Sequence, residues 1–208
     1  MPLYLAFAAA GALSGLAGRR LLSRLRRGAT VHSGALATAL ALLWTVAGWR
    51  VSSGQLPRWW LPVPLTLTWF AVLLAATDLK HHRLPDSLTL PAYPALAAAT
   101  VLAASVGGGW SLPVSATLGA LAFGALHALI HLASPASLGA GDVKLSGSLG
   151  AALGPIGWPA LVLAAGLAAL LTLAVGLLSR RRAIPHGPGL LAATCLLTLF
   201  PGTTVTPP

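Results

Sequence analysis

Long apolar blocks separated by short polar breaks run the length of this chain. The first covers Pro2 to Gly18, the second Ala35 to Trp49 and the third Leu61 to Thr77. A fourth opens at Pro85-Asp86-Ser87, where Asp86 or Ser87 is expected to cap a helix that continues to about Ser105. Gly107-Gly108-Gly109 is an uncharged turn, and Leu112 to about His131 is the fifth block. Lys144 to Leu178 is too long for one ordinary span, and Gly154-Pro155-Ile156-Gly157 interrupts it. That pattern predicts a short or re-entrant helix ending near Leu153, then a full span from Trp158. A last block ends near Phe200, followed by a tail, Gly202 to Pro208, expected to be disordered. The expected fold class is an all-α polytopic membrane protein: a bundle of about seven to eight transmembrane helices of roughly 20 residues, one of them short or re-entrant after Asp142. Residues 1–208 are expected to form one integral membrane domain.

Composition strengthens this reading. Apolar residues make up 56 % of the chain and charged residues 8 %, against about 25 % charged in soluble domains, which excludes a soluble globular protein. The formal charge of +10 lies mostly in short breaks such as Arg19 to Arg27, with five arginines, and Arg180-Arg181-Arg182. In a membrane protein such clusters set orientation, so these segments are expected in the cytoplasm, and the partner they imply is the lipid bilayer rather than nucleic acid. The same orientation puts Asp78, Lys80, His81, His82 and Arg83 at the cytoplasmic surface. Trp59 and Trp60 are expected at the opposite interface, where amphipathic rings collect. Cys195, the sole cysteine, lies in an apolar run and reads as a small core residue.

Chemistry has few residues to draw on. Glutamate is missing from the sequence, and Asp78, Asp86 and Asp142 are the only carboxylates. Asp78 falls at the C-terminal end of a helix, where the macrodipole disfavours an acid by about 0.3–1 kcal/mol, so helix design does not explain it. Asp142 falls at a helix N-terminus, where an acid is favoured as a cap and by the dipole. If Asp78 and Asp142 meet across the bundle they share a proton, and such a dyad can activate water for attack on a carbonyl. Lys80 and Lys144 each follow an aspartate by two residues and could depress a carboxylate pKa on approach, although snorkelling to headgroups is the plainer expectation. His127 and His131 share a helix face at a spacing that can hold a metal, but packing and interfacial roles are expected for them, and neither a metal nor a cofactor enters the expected chemistry.

Three segments resemble the type IV prepilin peptidases, the bacterial GxGD-type aspartic membrane peptidases. They are Asp78 with Leu84-Pro85-Asp86-Ser87-Leu88-Thr89, then Gly139-Ala140-Gly141-Asp142-Val143-Lys144-Leu145, then Ile184-Pro185-His186-Gly187-Pro188, where the family has an aromatic in place of His186. The resemblance covers about Phe70 to Ala193 and leaves 1–69 as two further spans and the start of a third. It implies catalytic roles for Asp78 and Asp142, with Gly139, Gly141, Lys144, Pro85, Asp86, Pro185, Gly187 and Pro188 as supporting motif residues. It also implies an enzyme of the bacterial inner membrane, with its active site facing the cytoplasm, that removes the basic leader of prepilins or pilin-like proteins just before their hydrophobic helix. Larger members carry a cytoplasmic loop with paired cysteine motifs and also methylate the new N-terminus. Here the loop, Arg19 to Ser33, has no cysteine, so methyl transfer is left unassigned. The competing readings are an inert assembly or scaffold relative and a proton-coupled transporter that uses the two aspartates as a relay.

Overall fold

A computed structural model describes residues 2–25, 33–81, 83–135, 138–179 and 186–205. Among these there is no strand. Eight α-helices follow in order: α1 (Leu3–Arg24), α2 (Ser33–Ser52), α3 (Pro62–His81), α4 (Asp86–Ala103), α5 (Ser111–Ala133), α6 (Ala140–Leu153), α7 (Trp158–Ser179) and α8 (Gly187–Leu199). Six of them, all but α6 and α8, are long and apolar enough to cross a bilayer. α1 extends past Gly18, so Arg19, Arg20 and Arg24 belong to a helix rather than to a loop. Arg26, Arg27, His82, Arg180 to Arg182, Ile184, Pro185 and the tail from Thr206 lie outside the described residues.

The bundle is built around α3. The share of its span buried is 56 %, against 33 % or less for every other span, and α1, α2, α4, α6 and α8 all touch it. α4 and α8 lie directly against it, and α1 and α2 form a hairpin on its outer side. α8 runs antiparallel to α3. The Trp60 indole donates to the Thr198 carbonyl at 3.0 Å, tying the start of α3 to the end of α8. Trp60 is therefore fully buried, not interfacial as the sequence suggested, because its N–H finds a partner inside the protein. The tail differs from expectation as well. Gly202–Val205 forms a short 3₁₀ turn, and Val205 is 4 % exposed, because apolar surface at the end of the bundle is there to be covered.

α6 is short, as the sequence predicts. Along α5 it runs antiparallel, and at Gly119 and Gly150 the two backbones approach so closely that a methyl on either would overlap the other's carbonyl oxygen. Small residues permit this contact where lipid supplies no hydrophobic drive. Gly154, just past the end of α6, meets the Ser115 carbonyl near the start of α5. Its 14 residues thus span about 21 Å and end level with the far end of α5. The break follows as expected, with a 3₁₀ turn at Gly154–Ile156 and Gly157 at φ 120°, a conformation open to glycine. α8, at 13 residues, is also shorter than a full crossing of about 30 Å.

Candidate active site

Three helix ends meet at one place: the last turn of α3, the first turn of α6 and the first turn of α8. Asp78 is on α3 and 5 % exposed. Asp142 is the third residue of α6, whose N-cap is Gly139. Its carboxylate turns back to accept from the Gly139 backbone N–H, the acid half of a capping box. The Gly139 carbonyl in turn accepts from the amides of Asp142 at 3.0 Å and Val143 at 3.3 Å. Asp142 therefore serves the helix start, yet its carboxylate also faces inward.

Gly187, the first residue of α8, shows how closely the two carboxylates converge. A methyl placed on it would stand 2.6 Å from Asp78 Oδ2 and 3.2 Å from Asp142 Oδ1. The two oxygens can be no farther apart than the sum of those distances. No side chain fits between them and the backbone of α8, so glycine is required by space at this position, not by backbone angle. Pro188 follows in the first turn, where its missing N–H costs nothing. Pro185 lies outside the described residues.

Burial pushes the Asp142 carboxyl above the ordinary carboxylate range, opposed by the Gly139 N–H and by the charge of His127. Asp142 lies at the head of α6, outside the six long spans. His127 is 3 % exposed and donates from Nδ1 to the Phe123 carbonyl at 2.8 Å, and His131 donates from Nδ1 to the Leu138 carbonyl at 2.7 Å. Each ring is thus oriented by backbone. His186 precedes Gly187 and its Nδ1 lies 3.0 Å from Thr172 Oγ1 on α7, with burial pushing the imidazole below its usual pKa. Among the described residues no group of three or more His, Cys, Asp or Glu could hold a metal. The sequence suggests a packing or interfacial role for His127, with a metal pair as the lesser reading. Its position beside Asp142 had no signal in the chain beyond its place on α5.

The other motif residues surround this point without joining it. Asp86 does not cap α4: the N-cap is Pro85 and no side chain caps it. Asp86 instead receives Lys144 Nζ at 2.9 Å on both carboxylate oxygens, because α4 and α6 lie side by side and their first turns bring the two together. Lys144 is thereby engaged with a carboxylate rather than with headgroups. The Pro85 carbonyl accepts from the amides of Leu88 and Thr89 and from Thr89 Oγ1 at 3.3 Å, which starts α4. Gly141 packs on Leu84, with 3.3 Å left between a methyl there and Leu84 Cβ. Tyr93 is a contact the sequence did not suggest. Its hydroxyl donates to the Lys144 carbonyl at 2.6 Å and fills the space beside Gly147, so α4 holds α6 at two adjacent points.

Comparison with known proteins shows the family. Residues 65–177 match the profile of the type IV leader peptidase family, a stretch that includes Asp78 and Asp142. The chain is 35 % identical over 155 residues to the prepilin leader peptidase/N-methyltransferase of Aeromonas hydrophila, a match covering 69 % of this chain and 51 % of that protein. It thus spans about half the length of the curated relative. No solved structure matches. By a profile match across more than half its length, the chain belongs to the type IV leader peptidase family.

Proposed function

We propose that the protein is a membrane aspartic endopeptidase that removes the basic leader peptide from type IV prepilins or pilin-like proteins at the cytoplasmic face of the bacterial inner membrane. The observation that carries this is the convergence of Asp78 and Asp142 on Gly187. In this reading the two carboxylates share one proton. The ionised member takes a proton from a water held between them, and the oxygen of that water attacks the scissile carbonyl. The protonated member donates to the carbonyl oxygen. Collapse of the tetrahedral intermediate breaks the C–N bond, and the departing amine takes up a proton. No metal or cofactor is needed for these steps.

The charge distribution supports the orientation. Gly18 of α1 packs against the Leu73 side chain, so the end of α1 that carries Arg19, Arg20 and Arg24 lies at the same end of the bundle as Asp78. Lys80, Arg83 and Lys144 lie at that end too, while Arg50 and Arg58 flank the opposite one. Positive charge gathers on the cytoplasmic side. The Asp86–Lys144 pair removes one lysine from the field that a basic leader would meet. The test is to co-express a type IV prepilin with wild type, Asp78→Asn or Asp142→Asn and to weigh the product N-terminus. Leader loss with wild type alone supports the reading, and a further mass of one CH₂ assigns methyl transfer. Leader loss with either variant contradicts it.

A further inference from the structure

An apolar groove of about 410 Å³ lies open between α2, α3 and α8. α2 and α8 both pack on α3 but barely touch one another, and the groove is the space this leaves. At one end stand Ala75 and Pro188. Ala75 is one turn before Asp78 on the same face of α3, and Pro188 is next to Gly187. That end of the groove therefore lies at the level of the two aspartates, beside the last turn of α3 and the first turn of α8. Its floor on α8 is a stripe at helical spacing, Pro188, Ala192, Cys195 and Leu199, and the small side chains at its centre permit a close approach. Every residue that lines it is apolar. A segment lying there must satisfy its own backbone groups, and a helix does so.

Resting on the peptidase reading above, we propose that this groove seats the apolar helix of the substrate, the segment just C-terminal to the scissile bond, with its N-terminal end at the aspartates. The length fits: Pro188 to Phe200 is about 18 Å of α-helix, enough for about twelve residues of a partner. The charges fit one polarity. A helix has positive N-terminal amides and negative C-terminal carbonyls. The aspartates stand at one end of the groove, and the Arg50 guanidinium lies over the Phe200 ring at the other, 4.3 Å from its centroid. A substrate helix whose N-terminus faces the carboxylates has its C-terminal half toward Arg50, whereas the reverse orientation opposes both. The substrate helix thus lies parallel to α8 and antiparallel to α3, in the helix-in-groove manner. The scissile peptide, extended ahead of the helix, is delivered to the carboxylates by the register of the helix in the groove. A lipid chain also fits apolar walls, but it has no polarity to match the charges at the two ends.

Cys195 is the only cysteine in the chain but is buried, so the test moves the thiol to the exposed groove residue Ala192 in a Cys195→Ala, Ala192→Cys variant. That variant, also carrying Asp78→Asn and held in proteoliposomes, is mixed with a type IV prepilin carrying single cysteines at successive positions of its apolar helix, and disulfides are formed by mild oxidation. Position 192 lies five residues beyond Gly187. The expected result is strongest cross-linking about five residues past the scissile bond, with weaker positions three or four residues to either side. Cross-linking at none of these positions, while wild type cleaves the same cysteine-bearing prepilins, overturns the proposal and leaves the groove to lipid. Failure of wild type to cleave any of them instead overturns the peptidase reading, and the substrate assigned to the groove falls with it. A second measurement compares prepilin with a short peptide that contains the leader and junction but no helix. Ala192→Trp, which fills the groove, is expected to lower the ratio of kcat/KM for prepilin to that for the peptide about tenfold. An unchanged ratio contradicts the proposal.

Discussion

The last turn of α3 and the first turn of α6 each hold one aspartate, and they treat it in opposite ways. At α6 burial raises the pKa of the acid, but the local structure works the other way: the helix dipole is positive, the Gly139 N–H donates to it, and the charge of His127 favours its ionised form. At α3 the dipole is negative and Asp78 is 5 % exposed in the most buried of the six long spans. A carboxylate there is held against its own helix. The difference teaches where to look for function: helix design gives Asp142 a structural reason to exist, whereas at Asp78 the dipole of its own helix opposes an acid.

The largest effect expected is on activity. Asp78→Asn and Asp142→Asn each reduce prepilin cleavage by about three orders of magnitude or more, as loss of one member of an acid–base pair does. Their thermal stabilities separate the two regions. Asp78→Asn gains about 0.3–1 kcal/mol from the dipole alone, while Asp142→Asn changes less, because relief from burial is offset by loss of the favourable dipole and partners. Equal shifts in Tm for the two variants would break the contrast.

Next is Gly187→Ala. The added methyl, 2.6 Å from Asp78 Oδ2, must displace either the Asp78 carboxylate or the start of α8, and so disturbs the pair. Activity is expected to fall about a hundredfold, with a stability loss of about 1–3 kcal/mol typical of overpacking. A variant with wild-type kcat/KM contradicts the convergence.

The pH dependence sharpens the comparison at Asp142. Burial raises its pKa in the folded protein above the ordinary 3.8. Its contribution to stability is therefore fully present below 3.8 and is lost as pH rises through the folded value. The difference in Tm between wild type and Asp142→Asn is expected to shift against wild type as pH rises through that window. A difference flat with pH would place the carboxyl in water.

The smallest effects belong to the contacts that hold α6 on α4. Tyr93→Phe removes the bond to the Lys144 carbonyl and is expected to cost about 1 kcal/mol, measured by thermal unfolding. Asp86→Asn breaks an ion pair whose side chains are about half exposed. It is expected to cost about 0–1 kcal/mol and to leave cleavage within a few-fold of wild type.

Much of the fold was legible because lipid imposes simple rules. Block length and the Gly154-Pro155-Ile156-Gly157 break located α6 and α7, and apolar composition alone placed the chain in a bilayer. What the sequence could not show was which element fills which gap. Trp60 reads as interfacial until Thr198 from the far end of the chain offers it a carbonyl. Asp86 reads as a cap until Lys144 comes beside it. The sequence also named Gly187 only through a motif. Its physical reason, two carboxylates against its Cα, exists only once α3, α6 and α8 meet. Tyr93 carried no signal, because its partner is a backbone carbonyl.

The most direct test of the central claim, that Asp78 and Asp142 act as one unit, is a double-mutant cycle on prepilin cleavage. Wild type, Asp78→Asn, Asp142→Asn and the double variant are compared in kcat/KM with the same substrate. If the carboxylates share a proton, each single variant loses nearly all activity and the double loses no more. Independent losses that multiply in the double variant, or substantial activity in either single one, would contradict the account.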